Sequence, residues 1–462
     1  MEKTVCELFA GVGGFRCGLN SIKEVGDTAK PEKWNTVWFS QWEPIDKKTQ
    51  WAWTCYTNRF GVCLDRKNED KTNWDIAEVP KEDIPDFNLL VGGFPCQDYS
   101  VANSLATSKG IEGKKGVLFW SILETIQEKR PAFVLLENVD RLLKSPAKQR
   151  GRDFGIILAC LRDEDYIVEW RVINAADYGY QQRRRRIFIF AYRNDTNYAT
   201  RLCESVGYNN DFAEEIKCES MSQLLLKEGF YAKSFPVEEE DVKKVKTDKL
   251  PEGLVDLSDN YKFGFENTGV MKDGIVYTMK TIPQYHGEQI TLGQIMETGD
   301  VDEQYFIPEE RLYYTDHDIT HSDEHNNGML SAEEHKTWQY IKGAKRLPRK
   351  ARNGHEYIFS EGSISMIDEY DKPARTMLTS EGSFGRTTHI VRDYKTQRIR
   401  LLTPIEMERI QGFPSDWTKE CLVNGEKVEM PLNKRRFMMG NALVVNLISQ
   451  METQLSEIFE AE

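Results

Sequence analysis

The stretch Val91-Gly92-Gly93-Phe94-Pro95-Cys96-Gln97 follows an apolar run, 87–91, that is typical of a buried strand. A strand therefore ends in two glycines and a proline and delivers a cysteine to the loop that follows. Open α/β folds place their chemistry at the carboxyl ends of sheet strands. Taken alone, Cys96 is explained equally well as a small buried hydrophobic residue and as a nucleophile, so the rest of the chain has to decide.

Strand and helix patterns alternate on both sides of this stretch. Apolar runs predict four further strands, at 5–9, 36–41, 133–136 and 187–190. Apolar residues at helical spacing predict a helix from residue 118 that ends before Pro131. This alternation predicts an α/β fold in which crossover helices join the strands of a parallel sheet.

The alternation stops near residue 195. The stretch 196–395 is polar and rich in Tyr, Glu, Lys and Gly, which predicts a separate lobe of irregular or short-stranded structure. Order returns at Leu402-Thr403-Pro404, where a threonine cap and a proline predict a helix start. We therefore predict four segments: a first domain of 1–195, a second lobe of 196–395, a link of 396–435, and a helix in 436–462 that completes the first domain.

The composition is typical of a globular protein, with 40% hydrophobic and 29% charged residues among 462. There are nine cysteines without a CxxC pair, no basic leader before an apolar stretch, and no apolar run near the roughly 18 residues of a membrane span. These features predict a cytoplasmic protein without disulfides, a zinc site or a membrane segment. His317, His321 and His325 lie in a poor helical pattern, so we interpret them as exposed polar residues and not as metal ligands.

The net charge of −13 weakly opposes a nucleic-acid partner, but binding depends on a local basic face. A candidate face lies within 342–352 and is formed by Lys342, Lys345, Arg346, Arg349, Lys350 and Arg352. A solvated basic loop explains the same residues equally well.

Glycines after the first strand indicate a place where a ligand approaches the backbone. The segment Leu8-Phe9-Ala10-Gly11-Val12-Gly13-Gly14-Phe15 joins a strand to a helix, although a tight turn without a ligand is the alternative. Glu43 ends the second strand, where an acid commonly holds ribose hydroxyls. Asp75-Ile76 could add a polar contact, or Asp75 could cap the turn at 77–79.

An acid and a basic run follow the later strands. Glu137-Asn138-Val139 ends the buried strand after residue 133, and four arginines, 183–186, precede the last strand. In a strand, Arg184 and Arg186 would share one face. A positive neighbourhood lowers the pKa of a thiol and favours its reactive form, but a solvated basic edge also explains four arginines.

Together these motifs resemble the DNA cytosine C5-methyltransferases of bacterial and phage restriction-modification systems. Six blocks occur in the order of that family: Phe9 to Phe15, Phe94 to Ser100, Glu137 to Val139, Gln182 to Arg186, Leu402 to Trp417, and Gly440-Asn441. The 200 unmatched residues fall where that family has its variable target-recognition region. Pro44 after Glu43 and Leu443 in the last motif depart from the family pattern, and Pro44 puts stacking on one side of an adenine in doubt.

The resemblance implies a Rossmann-like S-adenosylmethionine-dependent methyltransferase sheet with an irregular target-recognition lobe. It implies that a cytosine is flipped out of double-stranded DNA, that Cys96 adds to its C6, and that Glu137 acts at N3. Arg184 is expected to contact the base O2 and the Cys96 loop, and Arg186 to orient Glu137.

Binding residues follow from the same resemblance. S-adenosylmethionine is expected at Phe9, Gly11, Gly13, Gly14, Glu43, Asp75, Ile76, Pro95, Leu118 and Asn441. DNA is expected at Gln97, Ser100, Gln182, Lys345, Arg346, Arg349, Thr379 and Arg386. The last two belong to 376–388, a stretch rich in hydroxyls and glycine that we interpret as a recognition or backbone-clamping loop.

We expect a monomeric enzyme, without a metal, that protects host DNA from a cognate restriction enzyme. An RNA cytosine C5-methyltransferase of the same fold would share most motifs, although the long variable region favours DNA. A non-catalytic DNA-binding relative would be expected to lose Cys96 or Glu137, and both are present. A dehydrogenase is the weakest alternative, because the third glycine of the dinucleotide motif is missing.

Overall fold

One nine-stranded sheet organises the first 279 residues of the protein, whose computed structural model describes residues 1–44, 49–94, 118–238, 244–313, 336–351 and 354–462. Its strands are β1 (Thr4–Leu8), β2 (Asn35–Ser40), β3 (Leu89–Gly93), β4 (Phe133–Val139), β5 (Tyr166–Asn174), β6 (Arg185–Arg193), β7 (Lys246–Lys249), β8 (Thr268–Lys272) and β9 (Ile275–Met279). They lie in the order β2-β1-β3-β4-β6-β5-β8-β9-β7.

The sheet is mixed, and only its first four strands are parallel. β1 pairs in parallel with β2 and β3, and β3 pairs in parallel with β4. β6 then runs antiparallel to both β4 and β5, and β8, β9 and β7 continue antiparallel. The prediction of a parallel sheet was therefore wrong for its second half. No crossover helix lies between β5 and β6, and a two-residue Asp273-Gly274 turn with positive φ at both residues joins β8 to β9.

Three strands of this sheet, β7 to β9, come from the segment that we predicted as the second lobe. They are short, and their apolar residues lack the long run of a central parallel strand, so the sequence pattern did not identify them. The sheet consequently continues past residue 195.

Helices cover both faces of the sheet. They are α1 (Gly14–Leu19), α2 (Trp51–Phe60), α3 (Leu118–Lys129), α4 (Arg152–Asp163), α5 (Asn197–Ser205), α6 (Glu214–Gln223), α7 (Phe230–Ser234), α8 (Leu254–Asn260), α9 (Leu292–Ile295), α10 (Trp338–Lys342), α11 (Pro404–Ile410), α12 (Leu432–Asn441) and α13 (Val445–Ala461). Alternate residues of β1, β3 and β4 join one of two apolar clusters. One cluster contains α1, α2 and α13, and the other contains α3 and α4.

The C-terminal helix returns to the start of the chain. In α13, the Phe459 ring lies 4.7 Å from Trp34 and 5.0 Å from Phe133, and the Met1 amino group donates to the Phe459 carbonyl oxygen at 2.8 Å. The predicted cap of α11 is confirmed, because the Thr403 hydroxyl accepts from the Glu406 N–H at 3.2 Å.

Three two-stranded ribbons complete the described structure: β10 (Lys345–Lys350) with β11 (Glu356–Glu361), β12 (Ile390–Arg392) with β13 (Ile399–Leu401), and β14 (Glu420–Val423) with β15 (Glu426–Glu429). Within the described ranges, no helix has the length and apolar character needed to cross a membrane.

Candidate active site

The carboxyl ends of β3 and β4 meet at one edge of the sheet. Gly93 and Glu137 are partners in the parallel register. A Cβ atom on Gly93 would lie 3.2 Å from Glu137 Oε2, so a side chain there would crowd the carboxylate. The Asn138 amide donates to the Phe94 carbonyl oxygen at 3.0 Å and fixes the residue after β3. The last described residues before Cys96, Gly93 and Phe94, therefore lie beside Glu137 and Asn138.

Four of the predicted site residues, Pro95, Cys96, Gln97 and Ser100, lie outside the described residues, as do His317, His321 and His325. Their predicted roles stay predictions.

Arg186 faces Glu137 across the β4–β6 pair. The Arg186 Nε donates to Glu137 Oε1 at 2.8 Å, and both side chains are largely buried, with 18% and 13% exposed. A guanidinium held in this position fixes the carboxylate orientation. The structure thus brings together the acid and the arginine that the sequence analysis paired.

Arg184 has different surroundings from those predicted. Its guanidinium is buried and donates to the Met377 carbonyl oxygen at 2.9 Å and the Gly440 carbonyl oxygen at 3.0 Å. Burial, together with the nearby Arg186, lowers its pKa to about 9. The two terminal nitrogens thus bind protein carbonyl oxygens, whereas the Nε has no hydrogen-bond partner among the described residues, and the expected contact with the base O2 stays a prediction. Because β6 begins at Arg185, residue 184 lies before the strand and does not follow its alternation.

Gln182 is also buried, although we predicted it at the DNA. Its amide donates to the Ile410 carbonyl oxygen and the Gln411 Oε1, both at 3.2 Å. It therefore joins the approach to β6 to the end of α11 and presents no surface to DNA in this arrangement.

The glycine turn after β1 leaves open space at its tip. The backbone φ is positive at Phe9 (55°), Gly11 (57°) and Gly13 (89°). A Cβ on Gly13 would lie 2.8 Å from the Phe60 ring, whereas among the described residues no atom lies within 4 Å of a Cβ on Gly11. The Gly11 N–H donates to Gln41 Oε1 at 2.7 Å. Gln41 thus fixes the backbone N–H of Gly11, whereas the side of Gly11 where a Cβ would point is open.

Residues from other segments surround this turn. Glu43 Oε2 accepts from the Ala52 N–H at 3.0 Å, at the start of α2. Trp42 beside it keeps 36% of its surface exposed. A Cβ on Gly14 would lie 3.2 Å from Leu443, which places the segment after Asn441 against the turn.

Among the four remaining predicted cofactor residues, Asp75 binds the local backbone. Asp75 Oδ1 accepts from the Ala77 N–H at 3.0 Å, so the turn-capping alternative describes this side chain, and Ile76 is buried. Leu118, partly exposed, opens α3, and Asn441, exposed, ends α12.

Glu7 is a buried group that the sequence analysis did not single out. Its Oε2 accepts from the Tyr56 hydroxyl at 3.0 Å, and Arg16 donates to the same hydroxyl at 3.2 Å. Burial raises the pKa of Glu7 to about 7, against the opposing effects of Tyr56 and Arg16. An acid within the apolar run that leads into the glycine turn was the signal that could have identified it.

The predicted DNA-contacting residues divide into buried and exposed ones. Lys345 is buried, donates to the carbonyl oxygens of Ile341 (2.9 Å) and Gly343 (3.2 Å), and pairs with Glu361 at 3.1 Å.

Arg386 donates to the Lys342 and Gly343 carbonyl oxygens at 3.2 and 3.0 Å. Arg346, Arg349 and Thr379 are exposed. Backbone oxygens thus bind both Lys345 and Arg386, and the assignment of these two residues to DNA contacts stays a prediction.

Comparison with known proteins covers almost the whole chain. A model of the C-5 cytosine-specific DNA methylase family matches residues 3–457. The chain is 43% identical over 457 residues to the Type II methyltransferase M.Sau3AI of Staphylococcus aureus, which covers 98% of this chain and 95% of that protein. It is 35% identical over 189 residues to the Type II methyltransferase M.SsoII of Shigella sonnei, which covers 41% of this chain and 42% of that protein.

A solved structure supports the fold alone. A mutant DNMT2 of Spodoptera frugiperda superimposes with a TM-score of 0.50 at 13% identity, over 99% of each chain. With a matching family model and a full-length relative, the chain belongs to the C-5 cytosine-specific DNA methylase family and is a DNA (cytosine-5)-methyltransferase.

Proposed function

We propose that this enzyme binds S-adenosylmethionine at the glycine turn and methylates a cytosine that is flipped out of double-stranded DNA. The open space above Gly11 would admit the cofactor, and the acid Glu43 stands at the end of the neighbouring strand, where it would hold the ribose hydroxyls. The exposed Trp42 offers an apolar surface for the adenine. When bound, S-adenosylmethionine supplies an electrophilic methyl group.

The nucleophile in this proposal is Cys96. C5 of cytosine is a poor nucleophile, so the thiolate first forms a bond from sulfur to C6, which makes C5 enamine-like. Glu137 hydrogen-bonds or protonates N3 and thereby draws the ring electrons toward that nitrogen. C5 then takes the methyl group, loses its proton to a base, and the S–C6 bond breaks as the thiol leaves.

The position of Glu137 is the observation that carries the proposal. Its carboxylate is held by Arg186 at 2.8 Å, and it stands beside Gly93 at the edge from which the Cys96 loop departs. The bond from Asn138 to the Phe94 carbonyl oxygen holds the start of that loop at the same edge. We propose that Arg184 joins the segments of Met377 and Gly440 through their carbonyl oxygens and does not contact the base.

The biological role that we propose is protection of DNA from a cognate restriction enzyme. A full-length relative is named a Type II methyltransferase. Methylation of one cytosine in a short sequence would block cleavage there.

Duplex DNA with 5-fluorocytosine at the target position tests the nucleophile. Fluorine does not leave as a proton does, so the adduct with Cys96 should persist and be seen as a covalent complex by denaturing electrophoresis and peptide mass spectrometry. The target is found first by bisulfite sequencing of DNA from cells that express the protein.

Cys96→Ala should form no adduct, whereas Cys203→Ala, in α5, should form it as the wild type does. A wild-type protein that methylates DNA but forms the adduct at another residue would refute the assignment of Cys96. Structured RNA of the same cytosine content, offered in parallel, should remain unmethylated.

A further inference from the structure

The β10–β11 hairpin forms an exposed basic ribbon, defined here as residues 345–350 and 356–361. Among the described residues, its strands pair with each other and with no other strand. Most of its side chains are exposed, including Tyr357 at 42% and Ile358 at 57%. A two-stranded hairpin without a supporting layer is marginally stable in water, so a contact with a partner would stabilise it.

The two faces of the basic ribbon differ. Lys345 is tied to Glu361 at the base of the inner face, and the Arg349 guanidinium lies 3.8 Å from the centre of the Phe359 ring on that face. The register pairs Arg346 with Ser360 and Pro348 with Ile358 on the outer face. These two pairs give the outer face one exposed guanidinium next to an exposed apolar surface.

The charge of the basic ribbon opposes that of the whole chain. Its two strands carry four basic and two acidic side chains, a net charge of +2, whereas the chain has a net charge of −13. Lys345 is bound by Glu361, and Lys350 lies 3.5 Å from Glu356. Arg346 and Arg349 remain as the exposed cations without an acidic partner on this ribbon, which suits a polyanion.

The base of the basic ribbon is attached to the elements beside the active site. Arg386 donates to the Gly362 carbonyl oxygen, just after β11, and also to the loop before β10. Arg386 belongs to the same stretch as Met377, whose carbonyl oxygen binds Arg184. When the ribbon binds DNA, these contacts would therefore fix its position relative to β6, the strand that carries Arg186.

We propose that the outer face of the basic ribbon enters the major groove of the target DNA, where Arg346 contacts a guanine edge and Ile358 contacts the methyl group of a thymine. The inference rests on the proposed function and specifies the element that reads the sequence. The major groove admits a two-stranded ribbon, Arg pairs bidentately with guanine O6 and N7, and apolar side chains contact the thymine methyl group.

The test measures sequence preference in the full-length enzyme. Wild type, Arg346→Ala and Ile358→Ala methylate a duplex library in which each base around the target cytosine varies, and bisulfite sequencing gives kcat/KM for every sequence. Lys427→Ala, on the exposed β14–β15 ribbon, and Val255→Ala, exposed on α8, are the matched controls.

We expect each ribbon variant to lower kcat/KM for the preferred sequence by about 10- to 100-fold. On sequences that lack the contacted base, each variant should have the same kcat/KM as the wild type. The variant therefore loses its preference for one base at that position. Both control variants should keep the wild-type profile.

Base analogues identify the contacted atoms. 7-Deazaguanine, which lacks N7, should slow the wild type at the Arg346 position and leave Arg346→Ala unaffected. Uracil, which lacks the methyl group of thymine, should slow the wild type at the Ile358 position and leave Ile358→Ala unaffected.

Two outcomes would overturn the proposal. A uniform loss over all sequences, with a smaller salt dependence, would make Arg346 a phosphate contact. An unchanged profile would place the ribbon away from the bases. Either result leaves the proposed function intact, because methylation of DNA and the Cys96 adduct are measured separately with the wild type.

Discussion

Arg184 and Arg186 are two residues apart in sequence, yet they serve different parts of the molecule. Arg186 lies in β6 and binds Glu137 at 2.8 Å. Arg184 precedes the strand and binds the carbonyl oxygens of Met377 and Gly440, 193 and 256 residues away in sequence. A run of four arginines therefore contains one side chain that orients an acid and one that joins distant segments.

Glu137→Gln should lower kcat by about 100- to 10,000-fold, the usual range for loss of a general acid or base. The amide keeps the size of the side chain but cannot transfer the proton to N3. Single-turnover methylation and S-adenosylmethionine binding by calorimetry measure the two effects separately, and binding should change little. Asp140→Asn, which alters an exposed ion pair with Arg185 close by, is the control. A Glu137→Gln variant with wild-type kcat would contradict the role in catalysis.

At the scale of elements, α12 and the stretch 376–388 pack together without space for a side chain. A Cβ on Gly440 would overlap the backbone of Leu378 and Thr379. A Cβ on Gly382 would overlap the Arg436 side chain of the same helix. Because backbone atoms form one side of this contact, neither element can repack locally.

Gly440→Ala should therefore destabilise the fold by about 1–3 kcal/mol, the usual cost of overpacking, and lower activity because Arg184 binds the Gly440 carbonyl oxygen. Urea unfolding and methylation rates measure these effects. Gly253→Ala is the matched control, since no atom of the described residues lies within 4 Å of its Cβ position. Equal free energies of unfolding for the two variants would show that the backbone near Gly440 moves to accept a methyl group at little cost.

At the scale of the whole molecule, the large sheet buries two carboxyl groups far apart in sequence. Glu7 lies in β1, and Glu169 lies in β5, where it accepts from the Tyr192 hydroxyl at 3.2 Å and the Phe230 N–H at 3.3 Å. Burial raises the pKa of both groups to about 7, from an ordinary value of 4.5. Between these values the folded chain holds protons that the unfolded chain has released.

Stability from these two groups is fully present below about pH 4.5 and falls as the pH rises through about 7. From pH 5.5 to 7.5 each should contribute a loss of about 2 kcal/mol. Glu7→Gln and Glu169→Gln should each reduce that loss, as measured by urea unfolding at both values. Exposed Glu426→Gln should follow the wild type. The same decline in both buried-site variants as in the wild type would contradict this linkage.

The sequence by itself determined the chemistry and the family, because the motifs are local. A buried apolar run followed by glycine, an acid or a cysteine specifies a strand end and the group presented there. The glycine turn, Glu137, the Thr403 cap and the parallel strands β1 to β4 could be read in this way.

Only the tertiary structure decided which polar side chains are exposed and which are bound by other parts of the protein. We predicted contacts with DNA for Gln182, Lys345 and Arg386, which stay predictions, and the structure shows that these side chains also bind protein oxygens. The sequence analysis did not identify Glu7, which is buried in the strand before the glycine turn. It also did not predict that β5 to β9 pair in antiparallel fashion. The physical reason is that burial of a polar group depends on hydrogen-bond partners that lie far away in sequence, as between Gln182 and Gln411, which are 229 residues apart.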